Sequence, residues 1–135
     1  MPLLTTAGDP AVRDLNQTLP NLTPDSEKSF ARVKGWMETR HRNHPSCSSR
    51  YEQAMPKRLI SISPNNLWLL ETNAERQKYA ALSYKWGGPQ PVQATNASLS
   101  SLMNGFRIED LPYSLRDTVT LTQQLGLSYL WIDAL

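Results

Sequence analysis

Two places in the sequence gather side chains that could do chemistry. Ser83-Tyr84-Lys85-Trp86-Gly87-Gly88 follows one apolar run, and Asp133 follows another. A hydroxyl, an aromatic ring, backbone amides freed by glycine and a carboxylate together could hold a ribose or a nucleotide base. Each residue also has a plain structural use. Trp86 and Trp131 can pack in a core, Gly87 can turn the chain, and Asp133 can cap the segment after it. The order Gly87-Gly88-Pro89 breaks any Gly-x-Gly-x-x-Gly pattern, and two prolines stand where a phosphate-binding helix would have to begin. Nothing resembles a Gly-x-Ser-x-Gly nucleophile elbow, and both histidines lie far upstream.

His44 and Cys47 have a spacing that supplies two metal ligands, whereas a structural zinc site needs about four. With Cys47 the only cysteine and His41 the only other histidine, no complete site can be assembled. No metal and no cofactor is expected. The same lone cysteine rules out an intrachain disulfide and fits a reducing compartment.

Two strands must bring the Ser83–Gly88 run and Asp133 together. Tyr79–Trp86 is apolar on both faces, as a buried central strand would be. Tyr129–Asp133 is the second strand. Between them, Thr95 caps a short helix running through Met103, with Gly105 beyond its end. A longer helix opens at Leu111-Pro112 and carries Leu115, Val119, Thr122 and Leu125 on one face. It closes at Gly126, with Leu127 placed for the accompanying hydrophobic contact. Strand, helical crossover, strand predicts a parallel β-α-β unit, with Ser83–Gly88 and Asp133 outside the carboxyl ends of its strands. Asp117 falls near the start of its helix, where a carboxylate favours the dipole. Tyr129–Asp133 is expected to be left as an open apolar edge.

Upstream, Leu59–Ser63 and Leu67–Glu71 flank Pro64-Asn65-Asn66 and read as a hairpin. Before that, Thr23-Pro24-Asp25-Ser26-Glu27 is a helix start with Thr23 as cap and Pro24 at the first turn. Phe30, Val33, Trp36 and Met37 then make an apolar stripe that needs something to lie against, and Pro45 ends the helix. Residues 1–22 carry three prolines and few bulky apolar groups, and read as a leader.

The chain has 135 residues, enough for one domain, with 39% hydrophobic and 19% charged residues. A formal charge of +2 is too small to point to nucleic acid or a membrane surface. The basic residues from Arg32 to Arg50 are interrupted by Glu38 and read as a solvated helix face. There is no basic n-region followed by an apolar core, and no window approaches the ~18 apolar residues of a membrane span. A cytoplasmic protein is expected.

Three segments in order resemble the fungal heterokaryon-incompatibility (HET) domain. Tyr79-Ala80-Ala81-Leu82-Ser83-Tyr84-Lys85-Trp86-Gly87 resembles its opening Tyr-x-Ala-Leu-Ser-Tyr/His-x-Trp-Gly. Leu111-Pro112-Tyr113-Ser114-Leu115-Arg116-Asp117 resembles Leu-Pro-x-Thr/Ser-Ile/Leu-x-Asp. Leu125 through Asp133, with Gly126, Tyr129 and Trp131 in place, is similar to Leu-Gly-x-x-Tyr-Leu-Trp-Ile-Asp. Trp36, His44-x-x-Cys47 and Pro56-x-Arg58-Leu59-Ile60 resemble the stretch that commonly precedes the domain. Arg40 stands where the family often has a second cysteine.

The resemblance implies a truncated α/β domain of Rossmann/flavodoxin-like kind, similar to Toll/interleukin-1-receptor domains. It divides the chain into the 1–22 leader, a helical extension at 23–56, and a HET portion with its preceding hairpin at 57–135. It implies an effector of non-self recognition and cell death, acting through protein partners or self-association. Some domains of the similar fold cleave the nicotinamide–ribose bond of NAD, so NAD is the implied substrate of a full-length enzyme. Ser83, Tyr84, Trp86, Gly87 and Asp133 would form its pocket, while Leu82, Leu111, Pro112, Asp117, Gly126, Tyr129 and Trp131 would be structural. The catalytic glutamate of that fold would fall after Leu135, so no catalytic residue is assigned and the fragment alone is expected to be inactive.

Overall fold

The computed structural model describes residues 22–44, 54–64, 66–85 and 87–135. Residues 1–21 of the leader, together with Cys47 and Trp86, lie outside the described residues.

Helix α1 spans Glu27–Asn43. Its cap is Ser26 and not Thr23, because Ser26 finds partners in both the amide and the hydroxyl of Ser29, at 3.3 and 2.9 Å. Thr23 contributes its carbonyl, which accepts from Ser26 N–H and from the Ser29 hydroxyl. The helix ends before His44-Pro45, since a residue preceding proline is pushed out of the helical region; His44 has φ −129° and ψ 85°. Phe30 and Val33 are partly covered, but no residue of α1 is buried and Trp36 is 65% exposed. The expected apolar stripe is thus largely bare at its centre.

Strands β1 (Arg58–Ile62) and β2 (Leu67–Glu71) form the expected antiparallel hairpin, in register from Arg58↔Glu71 to Ile62↔Leu67. The turn closes with Ser63 N–H donating to Asn66 C=O at 3.0 Å. Strand β3 covers only Ala80–Leu82, shorter than the expected 79–86. Helix α2 (Leu99–Asn104) and a short 3-10 helix (Ile108–Asp110) follow, then helix α3 (Tyr113–Gln124) and strand β4 (Tyr129–Ile132). Thr95 bonds Ser98 N–H and Leu99 N–H one turn ahead of α2, whose cap is Ser98.

The sheet is mixed, in the order β2-β1-β4-β3. β3 and β4 are parallel, with Ala80↔Leu130 and Leu82↔Ile132 in register, as the β-α-β reading expects. The order corrects two expectations. β4 is not an edge, because β1 pairs with its other side antiparallel through Ile60↔Leu130 and Ser61↔Tyr129. β3 is not central: among the described residues it pairs only with β4, and Ala81 is exposed.

One sheet face carries Ile60, Ile62, Leu67, Leu69, Leu130 and Ile132 against Leu102, Leu111, Leu115 and Val119 from the helical side. Leu130 and Val119 are fully excluded from solvent. Buried Thr122 is satisfied by donating its hydroxyl to Thr118 C=O at 2.8 Å. At the end of α3, Gly126 takes φ +78°. Leu127 N–H reaches Thr122 C=O and Gly126 N–H reaches Gln123 C=O, the paired bonds of a Schellman ending.

Candidate functional site

The parallel pairing of β3 and β4 puts Ser83-Tyr84-Lys85 and Asp133 at one end of the sheet. Tyr84 is the organising side chain. Its hydroxyl donates to Gln90 Oε1 at 2.8 Å, and Gln90 Nε2 donates to Gly88 C=O at 3.1 Å. The loop after β3 is thereby folded back onto the phenol. Burial, and secondarily the negative charge of Asp133, hold the Tyr84 phenol above its ordinary value of 10.0. Two of the expected pocket residues are therefore electrostatically coupled, and Tyr84 presents a neutral O–H.

The other expected pocket residues are less engaged. Ser83, Lys85, Gly87 and Gly88 are exposed. A Cβ at Gly87 or Gly88 would meet nothing within 4 Å, and neither has positive φ, so close packing does not demand glycine there. Asp133 is exposed in the turn after β4 and keeps an interaction within the chain. Ala94 N–H donates to Ala134 C=O at 2.9 Å, which ties the incoming loop to this turn.

Among the family-motif residues, Leu111 is buried, Pro112 precedes the first turn of α3, and Tyr129 and Trp131 are half-buried. Leu82 packs against the core from the sheet edge. Asp117 is the fifth residue of α3, past the first turn, and exposed. The dipole explanation for it therefore fails, since that effect fades within the first turn.

Two residues that pattern reading passed over prove to be organisers. Gln90 is one; its only signal was a polar residue held between Pro89 and Pro91. Arg116 is the other. It donates to Leu111 C=O at 2.7 Å and to Glu109 C=O, and its guanidinium lies 4.8 Å from the Tyr113 ring centroid. It fills the second unspecified position of the Leu-Pro-x-Ser-Leu-x-Asp string.

Clefts of about 410 and 560 Å³ open at the opposite, N-terminal ends of β3 and β4. Among the described residues, no three His, Cys, Asp or Glu side chains converge as a metal site would require. No helix among them is long and apolar enough to cross a membrane.

Residues 79–135 match the family model described as Heterokaryon incompatibility protein (HET). The matched segment runs from the residue before β3 to Leu135. All three resembling strings fall inside it, whereas the upstream resemblance around Trp36, His44 and Pro56 falls outside. No curated protein and no solved structure matches the chain.

Proposed function

We propose that the chain is part of a heterokaryon-incompatibility effector acting in non-self recognition and programmed cell death in filamentous fungi. The observation that carries this reading is the coincidence of the HET match with a parallel β3–β4 pair that brings Tyr84 and Asp133 to one strand end. In this reading the chain is a cytoplasmic protein with a leader at 1–22, a helical extension at 23–56 and the HET portion with its hairpin at 57–135. Its α/β core is of Rossmann/flavodoxin-like kind, and it signals through protein partners or self-association.

A second reading, an NAD-cleaving enzyme, is favoured by the Tyr84–Asp133 coupling at the end of a parallel pair, where ligands of open α/β sheets gather. A neutral phenol that donates a hydrogen bond and an adjacent carboxylate suit a ribose. Ser83, Gly87 and Trp86 would complete the pocket.

Inducible expression of the full reading frame in a filamentous fungus tests both. Expression should kill hyphae, and Tyr84→Phe with Asp133→Asn should weaken the killing. Killing with cellular NAD unchanged would discard the enzyme. No killing, in a strain that accumulates the protein, would discard the effector.

A further inference from the structure

The two clefts at the N-terminal ends of β3 and β4 adjoin, with Lys78, Gly126 and Leu127 lining both. One wall is the approach to β3, with Arg76 and Lys78. The other is α1, which contributes Lys34, Met37 and His41. Tyr79, Leu125 and Leu127 supply an apolar floor, and the size suits an organic ligand. The only lining carboxylate among the described residues is Glu38. Lys34, Arg76 and Lys78 against Glu38 thus give the described lining two more positive than negative charges. The C-terminus of α3 carries about half a negative charge; Schellman bonds occupy its Thr122 and Gln123 carbonyls, and the two excess positive charges outweigh it. Arg76, Lys78 and His41 each keep an interaction within the chain, to which a ligand anion would add.

We infer that this pair of adjoining clefts binds a dianionic phosphate monoester carried on an apolar body, at a site separate from the Tyr84–Asp133 end. Arg76 and Lys78 grip the phosphate as charge-assisted donors, with the exposed Ser128 hydroxyl beside them. The body lies along Tyr79, Leu125 and Leu127 beneath Met37, and Lys34 reaches the anion from α1. The ligand therefore bridges α1, which buries nothing of its own, to the sheet.

Calorimetric titration of the intact chain with phenyl phosphate, and with inorganic phosphate as reference, tests this at low salt. Phenyl phosphate should bind about tenfold tighter than inorganic phosphate, because only the ester covers the apolar floor. Removing two charge-assisted grips in Arg76→Ala/Lys78→Ala should weaken it about tenfold or more. Lys34→Ala, on the other wall, should weaken it about threefold, and Tyr84→Phe should leave it unchanged. All these residues but Tyr84 are exposed, so melting temperatures should stay near the parent's. Equal affinity for the two anions, or full binding by either charge variant, would overturn the site. Vesicles containing phosphatidic acid should not carry the chain in flotation; flotation abolished by Arg76→Ala/Lys78→Ala would overturn the soluble ligand in favour of a lipid headgroup.

Discussion

At Tyr84, burial and a neighbouring carboxylate both favour the protonated phenol, so its folded pKa lies above the unfolded one. The stability this contributes is complete below pH 10.0 and is lost as pH rises through the folded value. Thermal melts should therefore show the parent losing more stability than Tyr84→Phe once pH passes 10.0. Asp133→Asn should bring the phenol down toward 10.0, read by phenolate absorbance against a Tyr84→Phe blank. Gly105 is a different kind of position. It sits at φ +115°, with Asn66 Nδ2 2.5 Å from where a Cβ would be. Gly105→Ala should cost about 1–3 kcal/mol in a denaturant titration, whereas Gly88→Ala should stay within about 0.5 kcal/mol. The sequence announced Gly105 as a helix stop, and that reading holds. It could not announce Gln90, because the partner that gives Gln90 its role arrives only once the loop has folded back.

Among the elements, α3 was the most legible, and its apolar spacing explains why. Leu115, Val119 and Thr122 recur every three or four residues, and all three are buried. Leu115→Ala should cost about 2–5 kcal/mol by equilibrium unfolding, while Trp36→Ala on α1 should stay within about 0.5 kcal/mol. The opposite outcome for Trp36 would mean that α1 is clamped to the body. β3 was misread because its composition describes a buried strand while its pairing decides its place. Ala80-Ala81-Leu82 is apolar enough for a sheet interior, but no periodicity records how many neighbours a strand has. The helix caps slid for a related reason: Thr23 and Ser26 are both competent caps, and only the reach to Ser29 separates them.

At the scale of the molecule, the parallel pairing was legible and the strand order was not. A crossover containing helices prescribes that β3 and β4 run the same way. Nothing in a hairpin sequence says which flank it will join. With β4 enclosed on both sides and Leu130 and Ile132 in the core, hydrogen exchange should be slowest at the amides of β4. Exchange in β3 should be about tenfold faster or more, and equal rates would contradict the enclosed position of β4.

The match to the HET family begins at Tyr79, yet Ile62 N–H donates to Ser128 C=O at 2.8 Å from outside it. The border drawn by similarity therefore cuts through a ladder of hydrogen bonds instead of falling in a linker. Recombination or splicing that exchanged this module at residue 79 would strip the flank from its middle ribbon. The transplanted piece would arrive with bare backbone where the hairpin had been, so the hairpin has to travel with it.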